Sequence, residues 1–247
     1  MTEIKQRLQK QLWPGGPLFK EDGSVFRIGM DSVLLADFAG KTRIRNKNHA
    51  ADLGCGSGII SVLLAWDAPG LHIDAIEIQP RAALLASENA VSCGLSERIT
   101  IIEGDLRRHR EFLKNGAYDL VVSNPPYHPH GSGKRAANAE LAAARDDENC
   151  TLSDICRAAS YLTRWGGAFL LAGRPERLSE VFLALSASGL EPKRLRFVQH
   201  KQSSPPNLVL IESRRGGNPS LKIEAPLILK NDDDSDTEEA KTIYRRD

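Results

Sequence analysis

The chain has little of what marks several large protein classes. Its 247 residues include four cysteines, Cys55, Cys93, Cys150 and Cys156, none in C-x-x-C spacing. That argues against a zinc ribbon or dithiol redox site and for reduced thiols in a cytoplasmic protein. No apolar run is long enough to span a bilayer. The opening MTEIKQRLQKQLW mixes charges throughout and has no signal-peptide core. Net charge is only +1, so no global basic field announces a polyanion, and any nucleic-acid site must be a local patch. His128-Pro129-His130 has no further ligand cluster in view, so no metal site is expected. Apolar residues at 41% and charged residues at 26% are ordinary for a globular chain. This length suffices for one α/β domain.

What is present centres on Ala50–Ile60, AADLGCGSGII. A short apolar run ends at Asp52, Gly54, Gly56 and Gly58 alternate with other residues, and a helix-like apolar run follows. Strand, glycine turn and helix are the reading, with helix amides aimed at whatever sits above the turn. A dinucleotide fingerprint, G-x-G-x-x-G, would need glycine at position 59, where Ile59 stands. That disfavours an NAD-dependent oxidoreductase.

Around this stretch the chain reads as alternating strands and helices. Ile4, Leu8 and Leu12 recur at helical spacing and predict a short helix within residues 1–17, stopped by Trp13-Pro14-Gly15-Gly16-Pro17. Asp31-Ser32 can cap a helix over Val33–Ala39, with Gly29 and Asp31 at its entry. His72–Ile78 reads as a strand bearing Glu77, 25 residues after Asp52; a carboxylate there suits a ribose diol, or is a solvated strand end. A helix over Arg81–Cys93 precedes the strand Ile99–Asp105, whose Asp105 is a ligand group or a surface turn. Tyr118–Asn124 is a strand running into Pro125-Pro126-Tyr127, where two prolines fix the backbone and hold Asn124 and Tyr127 at the carboxyl edge of the sheet. Residues 130–144 read as a mobile loop. Thr151 and Asp154 open a further helix, Gly166–Gly173 is a strand, Pro175 opens another helix, and Arg194–Gln199 and Asn207–Ser213 are the last strands. The main domain is placed at 18–230. Residues 231–247, with Asp232-Asp233-Asp234-Ser235-Asp236, read as an acidic flexible tail.

In order and spacing, DLGCGSG, AIEI, EGD and NPPY resemble the motifs of class I S-adenosylmethionine-dependent methyltransferases. FRIGMDSVLLADF, AAARDDENCTLSDI, RPERL, LEPKRLRFV and NLVLIE extend the likeness from Leu18 to Tyr244, and it is to the bacterial tRNA1(Val) (adenine-37-N6)-methyltransferase family. The resemblance implies a Rossmann-like fold with a mostly parallel seven-stranded sheet and helices on both faces. It implies S-adenosylmethionine held by Gly29, Asp31, Asp52, Gly54, Gly56, Gly58, Glu77, Asp105 and Asn124. Asn124, Pro125, Pro126 and Tyr127 are then the catalytic set for methylating adenine N6 in RNA. In a near-neutral chain, contacts to the RNA are expected from Lys134, Arg135, Arg145, Arg194, Arg196 and Lys201. Two alternatives remain. A protein-glutamine methyltransferase shares NPPY but usually carries an N-terminal helical domain. A non-catalytic RNA-binding module on the same fold would not need Asn124 and Tyr127.

Overall fold

The computed structural model describes residues 8–21, 29–43, 48–125 and 150–246. Pro126, Tyr127, Lys134, Arg135, Arg145 and the expected loop at 130–144 lie outside the described residues.

The chain opens with a hairpin. β1 (Leu8–Gln11) pairs antiparallel with β2 (Leu18–Glu21), where helical spacing predicts a helix. Turn chemistry overrides three apolar residues at helical spacing: Gly15 takes φ 75°, and Gly16 donates to the Trp13 carbonyl at 2.9 Å. The Trp13 ring lies so close over Gly16 that a Cβ there would come within 2.4 Å of it. Because the two strands lie on either side of position 17, no domain boundary falls there.

The remaining strands form one sheet. These are β3 (His49–Leu53), β4 (His72–Glu77), β5 (Ile99–Glu103), β6 (Tyr118–Ser123), β7 (Thr163–Gly173), β8 (Leu190–Gln199) and β9 (Pro206–Arg215), in the order β8-β9-β7-β6-β3-β4-β5. All neighbouring pairs from β7 to β5 are parallel, and β9 runs antiparallel between β7 and β8. This matches the seven-stranded class I arrangement. Two added strands of two residues each, β10 (Lys222–Ile223) and β11 (Leu227–Ile228), pair with β8 and are too short to show alternation in sequence.

Period-two alternation divides the core. Ala168, Leu170 and Ala172 of β7 face one cluster, while Phe169 and Leu171 face the other. On the first face lie α1 (Met30–Gly40), α2 (Ile59–Asp67) and α3 (Pro80–Ser92); on the second, α4 (Leu152–Leu162) and α5 (Leu178–Ala187). A last helix, α6 (Glu238–Tyr244), sets Ala240, Ile243 and Tyr244 into the first core. The acidic tail is therefore folded. Asp236 pairs with Lys230 at 2.8 Å and Arg246 at 3.0 Å, and Asp234 turns the chain at φ 66°. Its charges find cations on this same surface, which composition alone does not reveal.

Strand order reverses between β3 and β6, and their carboxyl ends open a crevice. Beneath it, Asp52 of β3 is fully buried. Its Oδ2 accepts the Ser61 hydroxyl of α2 at 2.7 Å, whereas Oδ1 is buried without a hydrogen-bond partner. Burial pushes this carboxyl up to about 7 against the bonds from Ser61, with nearby Glu77 adding to the rise. Between pH 4 and 7 the folded chain thus holds a proton that the unfolded chain has released, and raising the pH favours unfolding. Asp52→Asn mimics the protonated group. Relative to the parent, its unfolding free energy should rise by about 1–4 kcal/mol between pH 5 and pH 8. Urea denaturation at both values measures this, and a difference independent of pH would refute the assignment.

Candidate active site

Three strand ends build the floor of the crevice. After β3 the chain turns through Gly54, Gly56 and Gly58 at φ 73°, 56° and 79°, conformations that side-chain-bearing residues rarely adopt. Gly54 and Cys55 both donate to the Ile76 carbonyl of β4, at 2.9 and 3.0 Å. A Cβ on Gly54 or Gly56 would meet nothing within 4 Å, so the backbone there borders open space. Gly58 differs: its Cβ would stand 3.1 Å from Ala86 Cβ, so it serves the packing of α2 on α3 rather than a ligand.

Glu77 ends β4 with its carboxylate turned back on the turn. Oε2 accepts Gly56 N–H at 2.8 Å and Oε1 accepts Gln79 N–H at 2.9 Å. The residue is only 7% exposed. Burial raises its pKa, opposed by the backbone donors. Each oxygen has a second lone pair, so the carboxylate has acceptor capacity for a diol. Ile78 follows directly and is 47% exposed, an apolar surface at the sheet edge.

Asp105 follows β5 and opens a 3-10 turn, accepting the Arg107 N–H at 2.9 Å and an ion pair from its guanidinium at 2.6 Å. That hydrogen bonding from Arg107 holds Asp105 below the usual carboxylate range. Asp52 is not at the surface with Glu77 and Asp105. It lies beneath the turn and fixes α2 through Ser61, so it shapes the site without reaching into it.

On the other side of the switch point, β6 delivers Asn124 and Pro125, with Ser123 Oγ donating to the Leu53 carbonyl of β3 at 2.8 Å. Asn124 Nδ2 donates to Ser32 Oγ of α1 at 2.9 Å. Asp31-Ser32 is therefore not the helix cap that sequence predicts. Gly29 occupies that position without a side-chain cap bond, and Ser32 is committed to Asn124. Asp31 faces Arg174, just beyond β7, with Nη2 3.6 Å from Oδ2; burial raises its pKa and Arg174 opposes the rise. Neither Ser32 nor Arg174 is legible as a site residue from motif spacing, since each depends on helix and strand ends meeting in space.

The expected basic patch on β8 does not exist as a free surface. Arg194 Nε donates to Glu212 at 2.9 Å, Nη2 donates to the Phe38 carbonyl at 2.9 Å, and its guanidinium stacks 3.7 Å from the Phe38 ring. Arg196 makes two 2.7 Å bonds to Glu239, and Lys201 pairs with Asp234 at 2.8 Å. These three residues hold the sheet to α1 and to the C-terminal segment, which corrects their assignment to RNA. None of the four cysteines forms a disulfide, and burial pushes Cys55 well up and Cys156 up to about 12, which leaves neither of those two poised as a nucleophile. Among the described residues no three His, Cys, Asp or Glu side chains gather as a metal site, and no helix is long and apolar enough to cross a membrane.

The methyltransferase small domain family matches residues 25–149. A tRNA1(Val) (adenine(37)-N6)-methyltransferase of Porphyromonas gingivalis is 33% identical over 198 residues, covering 78% of this chain and 76% of that protein. Proteins of the same name from Dickeya chrysanthemi and Proteus mirabilis are each 31% identical, covering 89% and 93% of this chain and 88% and 93% of theirs. Among solved structures, a predicted O-methyltransferase from Agrobacterium tumefaciens aligns with a TM-score of 0.71 at 21% identity, over 88% of this chain and 96% of that one. A geranyl diphosphate C-methyltransferase from Streptomyces coelicolor, in complex with S-adenosyl-L-homocysteine, aligns at 0.54 and 12% identity, over 74% and 78%. Those two likenesses speak for the fold alone. The sequence relatives, matched over most of both chains, place this protein in the tRNA1(Val) (adenine(37)-N6)-methyltransferase family.

Proposed function

We propose that this protein transfers a methyl group from S-adenosylmethionine to the exocyclic N6 of an adenine in tRNA, with adenine 37 of tRNA1(Val) the specific target. One observation carries the reading: Asn124 stands at the switch point with its amide nitrogen bound to Ser32, so the amide presents its oxygen as an acceptor. An amine held by acceptors is what this methylation requires.

The residues fit the cofactor. The open backbone at Gly54 and Gly56 leaves room for its amino-acid part, the Glu77 carboxylate suits its ribose diol, and Ile78 offers a face for its adenine. Asp105 is within the same floor, and Gly29 begins α1 above it. When bound, S-adenosylmethionine supplies a methyl group on a positively charged sulfur that is already a good leaving group.

The exocyclic amine of adenine is a weak nucleophile because its lone pair is delocalised into the ring. Asn124 Oδ1 and the Pro125 carbonyl accept its two N–H bonds, favour a pyramidal nitrogen and turn the lone pair toward the methyl carbon. Tyr127 supplies a stacking face for a base swung out of its strand. Positioning and preorganised polar groups carry the rate, and no covalent intermediate is required. Lys134, Arg135 and Arg145 remain the proposed phosphate contacts in the segment after NPPY. A cytoplasmic location, where tRNA is found, fits this reaction.

Methyl label should pass from S-adenosylmethionine to an unmodified tRNA1(Val) transcript and appear as N6-methyladenosine on nucleoside analysis. Label confined to protein would overturn this reading in favour of a glutamine amide. Asn124→Ala should lower kcat by about 10²–10³ while binding S-adenosylmethionine within about twofold of the parent. Ser32→Ala removes the bond to the Asn124 amide nitrogen and should cost about 2–10-fold in kcat, the worth of one neutral hydrogen bond. Single-turnover rates at saturating cofactor, with melting curves alongside, check both. Glu77→Ala should weaken cofactor binding by about 10–100-fold through lost charge-assisted hydrogen bonds, measured by calorimetry.

A further inference from the structure

Arg174 is the first residue past β7, and it stands over the catalytic amide. The parallel register pairs Ser123 of β6 with Leu171 of β7. Asn124 is therefore level with Ala172, and Arg174 lies two residues farther out, about 6–7 Å toward solvent. A base that enters the crevice by its amine edge leaves its sugar and phosphate at this rim. Nη1 of Arg174 donates to the Asn207 carbonyl at the start of β9 at 2.7 Å, which fixes one side of the guanidinium. Across the rim, Nη2 faces Asp31 Oδ2 at 3.6 Å, longer than a hydrogen bond, with side-chain exposures of 38% and 32%. A loose, partly solvated ion pair of this kind contributes little to stability. Its place is the informative part: Asp31 adjoins Ser32, which holds Asn124.

We propose that Arg174 binds a backbone phosphate of the RNA beside the target adenine, and that Asp31 holds the guanidinium in place until that phosphate displaces it. A guanidinium offers paired N–H groups that match two phosphate oxygens, closer and better aligned than the 3.6 Å contact it gives up. Asp31 then carries a negative charge facing the incoming one, so it opposes RNA binding as well as orienting Arg174. This arrangement favours a nucleotide within a strand over a free nucleoside or a peptide amide, neither of which brings a phosphate to the rim. The inference rests on the RNA reading above.

The two residues should move RNA binding in opposite directions. With an unmodified tRNA1(Val) transcript at saturating S-adenosylmethionine, Arg174→Gln should raise KM for RNA about tenfold. It retains a side-chain amide for the Asn207 carbonyl. It should also reduce the slope of log affinity against log salt by about 0.7–0.9, the loss of one phosphate contact. Cofactor affinity should stay within about twofold. Asp31→Asn should lower KM for RNA two- to fivefold, and in the Arg174→Gln background it should give no such gain. If the pair were only structural, both single variants would raise KM and lower the melting temperature together, and the proposal would fall. An unchanged salt slope in Arg174→Gln would also overturn it. A parent protein that leaves the transcript unmethylated would instead refute the RNA reading itself.

Discussion

Glu77 Oε2 accepts the Gly56 N–H at 2.8 Å, and that bond ties the end of β4 to the turn that follows β3. The same residue's carbonyl accepts Gly104 N–H at 3.0 Å, which brings in the end of β5. Three adjacent strand ends thus converge on one residue. The arrangement depends on the backbone at Gly54, Gly56 and Gly58, whose positive φ values let the turn reverse tightly enough to present an amide to Glu77. A buried carboxylate is costly unless it is hydrogen-bonded, and here backbone amides of the glycine turn and of Gln79 supply the bonds. The floor is therefore shaped before any ligand arrives, which lowers the ordering cost of binding.

The β6 side of the candidate site is built differently. Asn124 directly follows a strand whose inner residues, Leu120, Val121 and Val122, are fully buried, which anchors its backbone. Its side-chain nitrogen donates to Ser32, 92 residues earlier, on a helix over the first face of the sheet. An amide can present oxygen or nitrogen with nearly equal shape, and only its hydrogen-bond partners decide which. A hydroxyl does not decide this alone, since it both donates and accepts. The bond described here has Ser32 accepting, which is the sense that an amine acceptor needs.

Legibility in sequence followed how local each cause was. The glycine turn, the parallel strands and the capping box of Thr151 and Asp154 rest on residues within a few positions of one another, and the strand order follows from the connection pattern. Glu77 was readable as a strand-end carboxylate because its distance from Asp52 along the chain reflects one strand–helix–strand unit. Asp52 shared the same motif, yet its role turned on a neighbour, Ser61, in the first turn of α2, to which the buried carboxylate is bonded. Leu8 and Leu12 gave a helical spacing that the Pro-Gly-Gly-Pro turn converted into a hairpin. The C-terminal acidic segment, read as a flexible tail, is held by Asp234 and Asp236, which pair with Lys201, Lys230 and Arg246.

The basic residues of β8 show why charge along a strand is a poor guide to a nucleic-acid face. Glu212 of β9 is 4% exposed and must be neutralised where it stands. Arg194 does so from β8 at 2.8 Å and Arg214 from β9 at 2.8 Å. Removing one partner of such a buried pair costs about 3–5 kcal/mol, because the remaining charge cannot leave. Arg194 also donates to the Phe38 carbonyl and lies over the Phe38 ring, in the last turns of α1. The first turn of that helix carries Asp31 and Ser32. An eleven-residue helix is pinned at its far end by Arg194 and presents its near end to Asn124 and Arg174. The arginine read as an RNA contact thus bears on the candidate site through α1, by fixing the helix whose Ser32 accepts from the Asn124 amide.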